Sequence, residues 1–145
     1  HCEWNRFRRI PRGTTMRARS PDRAKARSLV QASEMEMRYL DGLQPTIPAA
    51  STIVRGIYEN FRRLGEALLV AEGKGYSHEE CIAVLISLQV KAERPIQVLD
   101  TLRRLRADIN YEGYSPSEAD LQDVLSIKKT FWERILNEVK KRALI

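Results

Sequence analysis

Residues 53–68 read IVRGIYENFRRLGEAL, and the apolar positions in this stretch recur with the period of an α-helix. On such a helix one side is apolar and consists of Ile53, Val54, Ile57, Tyr58, Phe61, Leu64 and Leu68. The opposite side is charged and consists of Arg55, Glu59, Arg62, Arg63 and Glu66. The stretch therefore predicts an amphipathic helix that begins near Ser51 and is ended by Gly73 and Gly75.

Helical segments also flank this stretch on both sides. We expect the first segment to have Ser20 as its N-cap and Pro21 in its first helical position, and to end at Gly42. The third segment follows the glycines and opens with Ser77 as cap and Glu80 as its capping-box partner. Both segments carry apolar residues at helical spacing, so each is predicted to bury one side.

The last two segments have start signals of the same kind. The fourth contains Pro95, which either begins or kinks it, and the fifth begins at Ser117 with Asp120 as a capping partner. None of the five segments shows the alternating pattern of a β-strand. The sequence therefore predicts an all-α fold, an up-and-down antiparallel bundle of about five helices.

Positive charge is concentrated at the start of the chain. The 145 residues have a formal net charge of +6, and residues 1–27 contain nine basic side chains against two acidic ones. We therefore predict a basic N-terminal tail at residues 1–19 and a helical-bundle domain at residues 20–145. Such a tail suits electrostatic contact with nucleic acid, although a solvated leader without a partner explains the same composition.

Composition disfavours several classes of protein. Cys2 and Cys81 predict neither a disulfide scaffold nor a zinc site, and no apolar run is long enough to span a membrane. The segment Gly73-Lys74-Gly75 lacks the strand and spacing of a phosphate-binding loop, and His78 is expected to be a surface residue at a helix start. We expect a cytoplasmic protein without a membrane, metal or cofactor.

Residues 102–114, LRRLRADINYEGY, differ from the rest of the chain because they combine three arginines with an amide and two tyrosines. On a helix, Arg103, Arg106 and Asn110 share one face. Arginine suits phosphate because its planar fork donates two parallel charge-assisted hydrogen bonds. Tyr111 and Tyr114 can stack on a base or donate a hydroxyl. The segment is therefore the candidate site for binding RNA or a nucleotide.

A purely structural interpretation of the same segment is also open. Arg104 and Asp108 share a helix face and would form a surface ion pair of little energetic weight. The two tyrosines would then complete the core. In that case the chain is a helical interaction protein without a ligand.

The helix order over residues 20–144 and the motif around Arg106 resemble the HEPN superfamily. These are small helical-bundle proteins found beside minimal nucleotidyltransferases and in toxin–antitoxin pairs. The resemblance implies that ribonuclease members pair an Arg with a His a few residues further on, across a dimer. Arg106 fits the Arg position, Ala107 stands where Asn is common, and Tyr111 stands where the His would be. The segment Asn110-Tyr111-Glu112-Gly113 is similar to a branch that has Tyr at this position.

The resemblance implies a homodimer that binds RNA or a nucleotide in the cleft between its subunits. Arg106 would hold the phosphate and Tyr111 would stack or donate its hydroxyl, with Arg103, Asn110 and Tyr114 adding contacts. A minimal nucleotidyltransferase would be the protein partner. The wide apolar stripes of the second and fifth segments support the expected dimer.

A tyrosine has a pKa of about 10 in water and is a poor base at neutral pH. We therefore expect a module without ribonuclease activity. The alternative is a metal-independent ribonuclease, toxin-like, in which Arg106 and Tyr111 are the catalytic residues and Arg106 stabilises the developing charge.

Overall fold

The computed structural model describes residues 20–144. It contains five α-helices and one short 3₁₀ helix (Ile47–Ala49): α1 (Arg23–Asp41), α2 (Ala50–Ala71), α3 (His78–Ser87), α4 (Val98–Glu112) and α5 (Glu118–Ala143). No strand occurs in this range, so the predicted all-α helical bundle is confirmed. The predicted basic tail at residues 1–19 lies outside the described residues. No helix between residues 20 and 144 is both long and apolar enough to cross a membrane.

The prediction for the start of α1 was wrong. Its N-cap is Asp22, whose side chain accepts a hydrogen bond from the backbone N–H of Lys25 at 2.9 Å. The backbone N–H of Asp22 is itself bonded to the carbonyl of Val70 at 2.9 Å, which fixes Asp22 outside the helix. Ser20 and Pro21 therefore precede the cap, because aspartate caps a helix as well as serine does.

The other helix boundaries agree closely with the sequence signals. Ser117 and Asp120 form the reciprocal capping box of α5. Ser77 accepts from the backbone N–H of Glu80, which is half of the predicted box at α3. Gly73 follows α2 with a positive φ of 76°, where a side chain would be strained. Pro95 lies in the turn before α4 and so begins that segment without kinking it.

Helix α2 is the central helix, and it contacts all four other helices. Its predicted apolar side is buried throughout, as expected. Its predicted charged side was placed wrongly, because Arg62 and Glu66 are only 9% and 4% exposed. Helix α3 covers them, and Gly65 permits this approach: a Cβ there would lie 2.1 Å from the carbonyl oxygen of Cys81.

The directions of the helices follow from contacts at the ends of α1. The Asp22–Val70 hydrogen bond joins the start of α1 to the end of α2, and Arg23 donates to the carbonyl of Ala143 at 3.1 Å at the end of α5. Helix α1 is therefore antiparallel to both α2 and α5. Between these two, Phe61 meets Trp132 edge to face, with ring centroids 5.3 Å apart.

The apolar stripes of α2 and α5 are used inside the chain. Their residues belong to the continuous buried core of the monomer, apart from Leu125, which is half-buried. These stripes therefore leave no free surface for a second copy, although they were the feature of the sequence that supported a dimer. The most exposed apolar residues on α1 are Met35 and Tyr39, each 67% exposed.

Candidate nucleic-acid interface

Arg106 lies on the side of α4 that faces α2, between two aromatic rings. Its guanidinium carbon is 5.3 Å from the ring centroid of Tyr58 and 5.8 Å from that of Tyr111. The two rings differ in environment, because Tyr58 is 1% exposed and Tyr111 is 73% exposed. The half-buried arginine thus connects a rigid core residue to an aromatic ring at the surface.

Asn110 is one helical turn beyond Arg106 and provides a neutral hydrogen-bond partner. When its side-chain amide is oriented with the oxygen toward Arg106, that oxygen accepts from Nε at 3.1 Å and from Nη2 at 3.2 Å. None of the ion pairs formed within residues 20–144 includes Arg106. Its positive charge is therefore oriented by neighbours but is not neutralised by a carboxylate in this part of the chain.

The neighbouring arginines are paired. Arg103 contacts Asp100 at 2.8 Å and Arg104 contacts the other oxygen of the same carboxylate at 2.7 Å. The hydrogen bond from Arg103, with that from Arg104, lowers the pKa of Asp100. The expected Arg104–Asp108 pair was therefore wrong, because Asp100 is placed to serve two arginines at once, three and four residues further on. Arg103 also reaches Glu79 at 3.8 Å.

Tyr114 is held at the start of α5. Its hydroxyl donates to Asp120 at 2.5 Å, and this hydrogen bond raises the pKa of Tyr114. Tyr114 lines a concavity of about 260 Å³ together with Arg104, Asp108, Asp120 and Asp123. Carboxylates therefore outnumber cations beside Tyr114, whereas the ring of Tyr111 contacts the guanidinium of Arg106.

His78 joins the Arg106 neighbourhood, which the sequence did not indicate. Its Nδ1 lies 3.2 Å from the hydroxyl of Tyr58, and the two ring centroids are 5.9 Å apart. Burial lowers the pKa of His78, and the positive charges of Arg62 and Arg106 lower it further. His78 and Arg106 are 28 residues apart in the chain, so only the packing of α3 and α4 on α2 reveals their proximity. We call Tyr58, His78, Arg106, Asn110 and Tyr111 the Arg106 site.

A second charged cluster lies deeper, between α2 and α3. Arg62 donates to Glu59 at 2.9 Å through Nε and again at 2.9 Å through Nη2, and to Glu66 at 2.9 Å through Nη1. The hydrogen bond to Glu59 raises the pKa of Arg62. Burial alone would raise the pKa of Glu59, but the hydrogen bond and charge of Arg62 lower it overall. We call Glu59, Arg62 and Glu66 the Arg62 cluster.

Cys81 lies against the Arg62 cluster, with its Sγ 4.0 Å from Arg62. Its side chain is 0% exposed, and burial raises the pKa of the thiol to about 12. A buried thiol that stays protonated is a poor nucleophile. Cys81 is therefore a packing residue of the α2–α3 contact.

The Arg106 site opens to solvent, because His78, Asn110 and Tyr111 are exposed. A concavity of about 500 Å³ is lined by residues 86, 87 and 89–97, between α3 and α4, and does not include Arg106. Within residues 20–144, no group of three or more His, Cys, Asp or Glu side chains is arranged to hold a metal ion. No family model, curated protein or solved structure matches the chain.

Proposed function

We propose that the chain binds RNA or a nucleotide at the Arg106 site, with Arg106 holding a phosphate and Tyr111 stacking on a base. The observation that carries this proposal is the absence of a carboxylate partner for Arg106 among residues 20–144, while Arg103 and Arg104 are both paired. A cation oriented by neutral groups keeps its full charge for an incoming anion.

The contacts of Arg106 hold its guanidinium in an orientation in which it can bind an anion such as phosphate. The Asn110 oxygen faces Nε and Nη2, so the guanidinium plane is fixed while Nη1 and the remaining N–H groups stay available. The rings of Tyr58 and Tyr111 further restrict the side chain, at 5.3 and 5.8 Å. A planar fork held in one orientation suits the tetrahedral oxygens of phosphate.

Tyr111 supplies the aromatic part of the proposed contact. Tyr111 is 73% exposed, so its ring is accessible to a base. Stacking of a base on such a ring contributes about 1–3 kcal/mol and requires no particular sequence. Tyr114, 43% exposed and bonded to Asp120, would make at most a peripheral contact beside acidic groups.

The dimer and the nucleotidyltransferase partner are supported by the resemblance to the HEPN superfamily. A dimer would need a surface other than the buried stripes of α2 and α5. Met35 and Tyr39, one helical turn apart on α1, provide exposed apolar side chains for such a contact. Sedimentation of the Tyr39→Glu variant beside the unmodified chain tests this surface.

Binding of a labelled single-stranded RNA, followed by fluorescence anisotropy, tests the main proposal. We expect Arg106→Ala to weaken binding about ten- to hundredfold, the equivalent of a lost charge-assisted hydrogen bond. Tyr111→Ala should weaken it about fivefold or more, through lost stacking. The matched control is Arg104→Ala, which removes an exposed arginine already paired with Asp100. Equal effects of Arg104→Ala and Arg106→Ala would contradict a specific site.

The same samples, run on a denaturing gel, test the ribonuclease alternative. Cleavage that is lost in both Arg106→Ala and Tyr111→Phe would make the chain an enzyme that uses these two residues. Binding without cleavage supports the module without activity. If Arg106→Ala leaves both properties unchanged, the ligand-free helical interaction protein is the remaining interpretation.

A further inference from the structure

His78 is oriented by a buried and rigid neighbour. Its imidazole is the first side chain of α3, and its Nδ1 contacts the hydroxyl of Tyr58, which is 1% exposed. A tyrosine hydroxyl can donate to a neutral imidazole or accept from a protonated one. The hydrogen bond therefore survives a change in the protonation of His78, and Nε2 is available in both states.

The positive charge of Arg106 also acts on the imidazole of His78. The guanidinium carbon of Arg106 lies 5.3 Å from the ring centroid of Tyr58. The ring centroid of His78 lies 5.9 Å from the same Tyr58 centroid. The positive charges of Arg62 and Arg106 lower the pKa of His78, and the negative charges of Glu59 and Glu66 oppose this. Arg62 is ion-paired with both glutamates, whereas none of the ion pairs within residues 20–144 includes Arg106.

A phosphate bound at Arg106 would favour the protonated form of His78. Its negative charge cancels the repulsion between Arg106 and a protonated His78, and it attracts the imidazolium directly. A phosphomonoester has three free oxygens and a charge of about −1.5 to −2 near pH 7. A phosphodiester inside an RNA chain has two free oxygens and a single charge, so it satisfies two cations less well.

We propose that His78 is a second phosphate contact of the Arg106 site, and that the site consequently prefers a terminal phosphate to an internal one. This inference rests on the proposed binding function and specifies its ligand class, a nucleotide or RNA end that carries a phosphomonoester. Arg106 would bind any phosphate, whereas His78 would distinguish between the two kinds. Tyr58 acts as a positioning residue for the imidazole.

The test compares three versions of one labelled pentaadenylate: with a 5′-phosphate, with a 3′-phosphate, and with hydroxyls at both ends. The full chain is used at about 0.15 M salt, where the charge of the arginine-rich residues 1–19 is partly screened. Every variant keeps these residues, so their contribution to any preference is the same in all of them. We expect at least one phosphorylated version to bind about tenfold more tightly than the unphosphorylated one. The 5′ and 3′ versions show which end the site takes.

Variants separate this inference from the function on which it rests. In His78→Ala and His78→Gln, the preference for the phosphorylated end should fall to within about twofold, while the unphosphorylated RNA still binds. Tyr58→Phe should reduce the preference partially, because the imidazole loses its orienting hydrogen bond. Since His78 is an exposed residue, these His78 variants should fold, which circular dichroism checks.

Each outcome has a distinct meaning. A preference that is absent in the unmodified chain, or that persists in both His78 variants, overturns the role of His78 and leaves the Arg106 site intact. If Arg106→Ala binds all three ligands as the unmodified chain does, or if none of them binds at all, the proposed function itself fails and this inference fails with it.

Discussion

Arg62 and Arg106 both place a positive charge near Tyr58, yet the Arg62 cluster and the Arg106 site differ in how that charge is balanced. Arg62 is 9% exposed and ion-paired with two glutamates, so its positive charge is fully compensated within the α2–α3 contact. Arg106 is half-buried and has only aromatic and amide neighbours among the described residues. The comparison suggests that a buried arginine serves stability, while an oriented arginine without an acid is available for a ligand.

The largest expected effect is on stability, at Arg62. Arg62→Ala leaves Glu66 buried, with Lys25 at 3.6 Å as its remaining ion-pair partner among residues 20–144. Breaking a buried ion pair in this way costs about 3–5 kcal/mol. Urea denaturation should show this loss for Arg62→Ala and a loss below about 1 kcal/mol for Arg106→Ala. Similar losses in the two variants would remove the distinction between the clusters.

A smaller loss of stability is expected at Gly65, which lets α3 cover Arg62. A Cβ at residue 65 would meet the backbone of Cys81 at 2.1 Å, and backbone cannot move aside as a side chain can. Gly65→Ala should therefore cost about 1–3 kcal/mol or more. The matched control is Gly56→Ala, where the added Cβ meets the flexible end of Leu40 at 2.8 Å. A larger loss in Gly56→Ala would contradict the proposed role of Gly65.

Alkaline pH provides a third way to probe the α2–α3 contact. The pKa of Cys81 is raised from 9.0 to about 12 in the folded chain. The unfolded chain therefore releases this proton first, and the stability that depends on it is present below pH 9 and is lost as the pH rises toward 12. Urea midpoints at pH 8 and 10 should differ less in Cys81→Ala than in the unmodified chain. An equal difference would show that Cys81 is not responsible.

The smallest effect on stability is expected at Tyr111. Its ring is 73% exposed, so Tyr111→Ala should change the free energy of unfolding by less than about 0.5 kcal/mol. The same variant should nevertheless weaken RNA binding. A marked loss of stability without a change in binding would assign Tyr111 to the core of the fold instead of the ligand site.

Much of the fold could be predicted because local rules decide it. The capping residues Ser77 and Ser117 mark helix starts that depend only on neighbouring residues, and the apolar side of α2 follows from its period. The pairing of Arg103 and Arg104 with Asp100 is also local, three and four residues apart. The predicted Arg104–Asp108 pair was wrong because Asp100, which precedes both arginines, pairs with both of them.

The remaining features depend on tertiary contacts. A single apolar stripe indicates one buried side, so the burial of Arg62 and Glu66 under α3 was not visible in the period of α2. The contact of His78 with Tyr58 joins residues 20 positions apart on different helices. Sequence patterns therefore made Arg106 a candidate, but the structure was needed to find its neighbours.

The meeting of Asp22 with Val70 and of Arg23 with Ala143 brings the two ends of the described bundle side by side. A short glycine-rich linker could therefore join residue 144 to residue 20, with new termini opened between α3 and α4, where residues 88–97 contain no helix. Such a circular permutant would keep all five helices and their packing. A partner domain joined directly to residue 20 and one joined directly to residue 144 would likewise leave the bundle on the same side.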